Sequence, residues 1–252
     1  MPKVLLASPA LQQYQGAYLQ TLANAGCEIV NPNIPRLLVE ADLLELVPPC
    51  DAVIAGSEPY TAAVIERSPH LKIIARAGVG YDAVDLRAAT KAGVAVTITP
   101  GANHHAVADF TMTLLLALAR RLLQFDKIVQ EGRWERFSPP SVKGASLGIV
   151  GFGRIGQSVA QRARAFEMRL LVHDPYANFD RVSELGVEIV PLAQLLRESD
   201  FVSLNCLVTD ETRNLVNVDT LAMMKPTAYL INTARGELVD ATALCEIGRA
   251  HV

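Results

Sequence analysis

Ten consecutive residues, Leu147-Gly148-Ile149-Val150-Gly151-Phe152-Gly153-Arg154-Ile155-Gly156, carry the clearest chemistry in the chain. Gly151, Gly153 and Gly156 have the G-x-G-x-x-G spacing of a strand that turns into a helix and meets a phosphate. Each glycine answers a separate demand. Gly151 permits the tight turn, Gly153 lets the backbone approach a pyrophosphate, and Gly156 lets the helix pack on the strand. The free N–H groups of the helix's first turn then face the phosphates, where the helix dipole favours negative charge. Asp174 supplies the second part of such a site, a carboxylate after the next strand that accepts from ribose hydroxyls. No arginine directly follows Asp174 to hold a 2′-phosphate, so the pattern favours NAD over NADP.

The elements that must position these groups are legible around them. Residues 146–150 form an apolar run of strand length, and Ile155, Val159, Ala160, Ala163 and Phe166 recur at helical spacing. The next strand is 168–172. Upstream, strands at 3–7, 27–30, 52–55 and 71–75 alternate with helices at 11–25, 41–46 and 61–68, which predicts a parallel sheet covered on both faces. This first α/β unit spans 1–100. The second, 101–252, begins with a long apolar helix over 103–124 that Asn103 can cap. Residues 130–143, with Gly132, Trp134, Pro139 and Pro140, read as an irregular connection. Later strands are expected at 188–190, 201–204 and 228–231, with helices at 192–197 and 218–224.

Bulk properties exclude several function classes. The chain has 252 residues, 50% of them hydrophobic, and a formal net charge of -3. There is no basic footprint for nucleic acid. The longest apolar stretch, 111–119, is too short to span a membrane, and the N-terminal strand is too weakly flanked for a secretory leader. Cys27, Cys50, Cys206 and Cys245 are scattered without C-x-x-C pairing, which argues against a zinc site or disulfide framework and fits a reducing cytoplasm.

Four motifs together resemble the D-isomer-specific 2-hydroxyacid dehydrogenases, in their phosphoglycerate dehydrogenase-like branch. They are Leu71-Lys72-Ile73-Ile74-Ala75-Arg76-Ala77-Gly78-Val79-Gly80-Tyr81-Asp82, then Pro100-Gly101-Ala102-Asn103 with Val107-Ala108-Asp109, the glycine fingerprint, and Ile231-Asn232-Thr233-Ala234-Arg235-Gly236. The resemblance implies two Rossmann-like/flavodoxin-like parallel-sheet domains, a substrate domain over 1–100 and an NAD-binding one over 101–252. It implies hydride transfer between NAD and C2 of a 2-hydroxy or 2-oxo acid, and a homodimer when full length. Arg235 matches the family's catalytic arginine, whose planar fork suits a carboxylate and carbonyl oxygen. Ala77, Gly78 and Val79 match the loop whose N–H groups take the substrate carboxylate. Arg154 and Ile155 match positions over the pyrophosphate, and Cys206, Thr233 and Ala234 match the cofactor's walls. His104 and His105 fall at variable positions beside the helix cap, and His173 is placed at the adenosine edge. Asp109 stands where the family usually has Glu, and Ala106 where Ser is common. Near Ala55-Gly56-Ser57 the chain lacks the arginine that phosphoglycerate enzymes use for phosphate, and residues 57–60 hint at a polar pocket.

The family's acid–base pair, a Glu orienting a His, falls beyond Val252, so the nucleotide-binding domain is expected to be incomplete at its C-terminus. Ile247-Gly248-Arg249-Ala250-His251-Val252 resembles a translated sequencing adapter, which makes the chain a fragment that binds NAD without turnover and His251 not the catalytic histidine. Two other functions fit the same residues. One is a non-catalytic NAD-binding or corepressor-like module. The other is a glyoxylate or hydroxypyruvate reductase, whose expected NADP preference conflicts with Asp174.

Overall fold

The computed structural model describes residues 1–250, apart from the side chains of 179 and 248–250. The chain divides into two compact units, the first Met1–Ala102 and the second starting at Asn103.

In the first unit β1 (Lys3–Leu6), α1 (Pro9–Gln13), α2 (Ala17–Asn24), β2 (Glu28–Val30), α3 (Glu40–Leu46), β3 (Ala52–Ala55), α4 (Ala62–Glu66), β4 (Ile73–Arg76), α5 (Leu86–Ala92) and β5 (Ala95–Thr97) follow in order. All pairings are parallel, in the spatial order β2-β1-β3-β4-β5. That is the flavodoxin-like order, with its reversal between β1 and β3. Leu5, Val53, Ile74, Val64 and Ile65 fill the core and are at most 1% exposed. Each such side chain contributes about 1.5–3 kcal/mol by leaving water. The helix expected over 11–25 is two helices. Tyr14 turns extended (ψ 125°) and Gly16 starts α2, while the Tyr18 hydroxyl donates to the carbonyls of Leu11 (2.5 Å) and Tyr14 (2.9 Å). A side chain thus satisfies the acceptors that the interruption frees.

The second unit contains α6 (His104–Ala119), α7 (Leu122–Gln130), β6 (Ser146–Val150), α8 (Arg154–Ala165), β7 (Arg169–His173), α9 (Phe179–Leu185), β8 (Glu188–Ile189), α10 (Leu192–Glu198), β9 (Phe201–Leu204), α11 (Val218–Met223), β10 (Tyr229–Asn232) and α12 (Ala241–Ala250). Its sheet is also parallel, ordered β10-β9-β6-β7-β8. Counting from β6, this is the Rossmann order, reversing between β6 and β9. β6 lies at the centre and all five of its residues are buried, which explains why it reads as an unbroken apolar run.

The single helix expected over 103–124 is also interrupted. Arg121 adopts a left-handed conformation (φ 51°), separating α6 from α7, and the Arg120 guanidinium reaches the Pro139 carbonyl (3.2 Å). Helix α7 then runs to Gln130, so the irregular connection begins one residue later than expected. Asn103 precedes α6 without a side-chain cap, and its buried Oδ1 has no hydrogen-bond donor among the described residues. Helix α6 buries one face, Ala108, Thr111, Met112, Leu115 and Ala119, whereas Phe110 and Leu118 are exposed. The apolar circumference seen in the sequence is therefore only partly covered.

Candidate functional site

Strand register builds the second unit's carboxyl edge. Val150 pairs with His173 on one side and Leu204 on the other, and Leu204 pairs with Asn232. The next residues, Gly151, Asp174, Asn205 and Thr233, therefore leave the sheet in one row. This row lies at the reversal of strand order, where open α/β sheets bind ligands.

The glycines behave differently from one another. Gly151 has φ 91°, and a Cβ there would stand 2.7 Å from the Cys206 amide nitrogen, so the loop after β9 presses against the turn. A Cβ on Gly156 would overlap the Gly151 carbonyl oxygen. Around Gly153 a Cβ would meet nothing within 4 Å. Two glycines are thus required by the fold itself, while the third borders open space at the start of α8. That space and the α8 N-terminus fit a pyrophosphate.

Asp174 is tied to this turn. Its Oδ2 accepts from the Phe152 amide (2.6 Å) and its Oδ1 from the Tyr176 amide (2.8 Å). Two backbone donors hold the carboxylate in one orientation while the other lone pairs stay available to hydroxyl donors. Gln157 secures the same turn by donating to the Phe152 carbonyl (2.8 Å). His173 Nδ1 lies 3.2 Å from the Val190 carbonyl, so this ring braces β7 against the residue after β8. Arg154 is exposed and Ile155 half-buried at the first turn of α8. Cys206 is half-buried, and burial pushes its thiol above the ordinary range, with the Asp174 charge adding to the shift. It is held as a neutral thiol, not a reactive thiolate.

After β10, Thr233 Oγ1 lies 2.8 Å from Thr111 Oγ1, and Thr111 donates to the Val107 carbonyl (2.9 Å). Asn232 shapes the following turn by donating to the Arg235 carbonyl (2.7 Å) and accepting from the Ala234 amide (3.0 Å). Arg235 is half-buried and its Nη1 donates to the Ala234 carbonyl (2.9 Å), which presents the guanidinium next to the sheet edge. His104 and His105, with ring centroids 4.0 Å apart, line a cavity of about 350 Å³ with Arg154, Gln157 and Arg181. The Arg162 guanidinium holds Asp109 (2.6 Å), which links α6 to α8.

The first unit carries the other set of expected residues. Ala77 donates to the Ala55 carbonyl (2.8 Å), and the Thr99 amide donates to the Gly78 carbonyl (2.9 Å). A peptide's N–H points opposite its C=O, so the second bond turns the Val79 N–H away from Thr99. A Cβ on Gly78 would meet nothing within 4 Å, leaving room for an anion against the backbone. Of residues 57–60, where the sequence hints at a polar pocket, Ser57 is exposed while Glu58 and Tyr60 are completely buried (0% exposed).

The NAD-binding domain model of the D-isomer specific 2-hydroxyacid dehydrogenases matches residues 112–251. The chain belongs to this family, and its second unit is an NAD-binding domain of the Rossmann type.

Among individual relatives, a glyoxylate reductase of Korarchaeum cryptofilum is 46% identical over 209 residues, covering 80% of this chain and 63% of that protein. The D-3-phosphoglycerate dehydrogenase of Synechocystis is 40% identical over 220 residues, covering 86% of this chain and 40% of that one. The crystal structure of D-lactate dehydrogenase from Aquifex aeolicus, in complex with NAD and lactic acid, is similar at TM-score 0.85 and 28% identity, covering 98% of this chain and 73% of that one. The chain therefore spans less than two thirds of the length of the curated relatives it matches. Among the described residues no helix is long and apolar enough to cross a membrane, and no group of three potential metal ligands occurs. His251 lies outside the described residues.

Proposed function

We propose that this chain supplies the cofactor site and the carboxylate-binding loop of an oxidoreductase that transfers hydride between NAD and C2 of a 2-hydroxy or 2-oxo acid. The observation that carries this is the row Gly151, Asp174, Asn205 and Thr233 at one sheet edge, with Cys206 and Arg235 following it in the chain and Asp174 fixed by the Phe152 amide. In this proposal Gly151, Gly153 and Gly156 shape the phosphate turn, and Arg154 and Ile155 cover the pyrophosphate. Asp174 accepts from ribose hydroxyls, while Cys206, Thr233 and Ala234 line the cofactor. NAD, when bound, accepts or donates the hydride. Arg235 holds the substrate's carboxylate and carbonyl oxygens and stabilises the charge that develops there. Gly78 and Val79 take the carboxylate through backbone N–H groups, while the Ala77 N–H, expected to join them, is committed to the Ala55 carbonyl (2.8 Å).

Within this class, a glyoxylate reductase is favoured by the 46% identity to the Korarchaeum enzyme of that name. Gly56 in place of a cationic side chain after β3 also disfavours a phosphorylated substrate. Free cysteines throughout the described residues support a reducing compartment, the cytoplasm, and a homodimer remains part of the proposal by resemblance.

Calorimetry of the purified chain with NAD and NADP tests the cofactor assignment, with NAD binding expected to be at least about tenfold tighter. Tighter NADP binding would overturn the role given to Asp174. Titrating glyoxylate, pyruvate and 3-phosphoglycerate into the NAD-saturated chain, with Arg235→Ala as control, tests the substrate class. Equal affinity in that variant would remove Arg235 from the site.

A further inference from the structure

A cleft on the second unit gathers positive charge that the proposed hydride transfer does not use. It is the cavity of about 350 Å³ between the first turn of α6, α8 and α9, and its charged and titratable lining is His104, His105, Arg154, Arg181 and Glu184. Two guanidiniums and two imidazoles thus stand with one carboxylate, in a chain whose formal net charge is -3. Glu184 does not make the cavity an acidic one, because Arg181 Nη1 pairs with its Oε2. Arg181 Nε lies 3.4 Å from Gln157 Oε1, and its Nη2 has no acceptor among the described residues. Arg154 is exposed at the first turn of α8, and its guanidinium meets no acidic or carbonyl partner among the described residues. Cationic donors held this way favour an anion.

Ser158 is an independent sign of a ligand. It lines the same cavity and is only 6% exposed. A serine inside a helix ordinarily donates to the carbonyl four residues earlier. The Ser158 hydroxyl bonds neither the Arg154 carbonyl nor any other group among the described residues. Leaving such a donor unpaired is unfavourable, so an acceptor oxygen placed in the cleft is stabilised by it. Donors from α8 and α9 reach that oxygen from different sides, which suits the several acceptors of a tetrahedral phosphate better than a planar carboxylate. The volume is that of a small-molecule site. We propose that this cleft binds a small phosphomonoester, with Arg154, Arg181 and Ser158 on the phosphate and the two histidines closing the α6 side, and that the bound ester weakens NAD by a limited factor because Arg154 serves both sites. The coupling rests on the pyrophosphate role proposed above for Arg154, whereas the binding does not.

The test uses the whole chain at constant ionic strength, with glycerol 3-phosphate and inorganic phosphate as probes and glycerol as control. Calorimetry should give millimolar or tighter binding of glycerol 3-phosphate, no binding of glycerol, and weaker binding of inorganic phosphate. A preference for inorganic phosphate would assign the cleft to the free anion and overturn the ester. Ser158→Ala and Arg181→Gln should each weaken glycerol 3-phosphate by about threefold to tenfold, with NAD affinity unchanged within about twofold. Unaltered ester affinity in either variant would overturn the site. Rising glycerol 3-phosphate should weaken NAD by about threefold to tenfold and then have no further effect, as coupling between two sites requires. An NAD dissociation constant that keeps rising in proportion to the ester would put the ester on the phosphate turn itself and overturn the separate cleft. If the ester binds and NAD affinity does not move, the coupling through Arg154 is overturned and the cleft is not. Should the unaltered chain fail to bind NAD, the cofactor proposal fails and the ester titrations of the two variants alone decide the cleft.

Discussion

The phosphate turn of the second unit and the loop after β4 of the first both carry glycine at a sheet's carboxyl edge, yet for different physical reasons. In the turn, Gly151 and Gly156 are demanded by neighbouring backbone, since added carbons would collide with Cys206 and with Gly151 itself. In the loop, a carbon added at Gly78 would meet nothing within 4 Å, and the conformation is held by the Thr99 amide and the Arg76 side chain. The turn's shape is thus a consequence of folding. The loop's shape depends on buried charge, so the two sites should respond to mutation in opposite ways.

The sharpest contrast is expected from Gly156→Ala, whose methyl would overlap a carbonyl that the strand–helix packing cannot move. It should destabilise the second unit by about 3 kcal/mol, read by urea denaturation. Asp174→Ala should follow, leaving the Phe152 amide without its acceptor and weakening NAD by about 10–100-fold in calorimetry. Thr233→Val removes the hydroxyl pair with Thr111 and should lower stability by about 1 kcal/mol. Gly78→Ala, by contrast, should leave the urea midpoint within about 0.5 kcal/mol of the unaltered chain while weakening glyoxylate binding. A large stability loss in this last variant would break the comparison.

The smallest effects concern pH, and they differ in sign between the units. Burial raises the Glu58 carboxyl, against the opposing pull of the Gly56 amide and Arg76. The folded state therefore holds this proton more tightly than the unfolded chain, and stability from this group falls as pH rises above the ordinary glutamate range. Asp200 goes the other way. Burial pushes it up, but Lys225 (2.8 Å) and the Ser146 amide (2.8 Å) outweigh that and hold it below the ordinary aspartate range. Its contribution is present above that range and lost as pH falls through its folded value. Thermal midpoints between pH 3 and 7 should lose the first trend in Glu58→Gln and the second in Asp200→Asn.

Much of the architecture was readable because it follows from local pattern. β6, β3 and β9 have the limits that apolar runs bounded by turn residues predict, and Asp174 follows β7 as the ribose-binding pattern requires. Other features depend on contacts that no local pattern carries. The breaks at Tyr14 and Arg121 involve a tyrosine hydroxyl and an arginine that reach across to carbonyls outside their own turns. Strand β5 and helices α5, α7 and α9 were missed for a simpler reason: they are short, and their exposed faces dilute the apolar period. Within the site, the Phe152–Asp174 and Thr111–Thr233 bonds join distant residues of ordinary type. The burial of Glu58 and Arg76 is hidden because charged residues read as surface, and only the fold shows them enclosed.

The central position of β6 also bears on how the second unit assembles. Its neighbours are β7 and β9, and both pairings are parallel, so neither can start from a tight hairpin. β7 arrives only after α8 has crossed over, and β9 only after three further elements. Loop-closure entropy must be met before these long-range pairings stabilise anything, which makes refolding slow compared with a helical bundle of similar size. Until β9 docks, one edge of β6 is unpaired, and this apolar strand is the segment most prone to join a second chain.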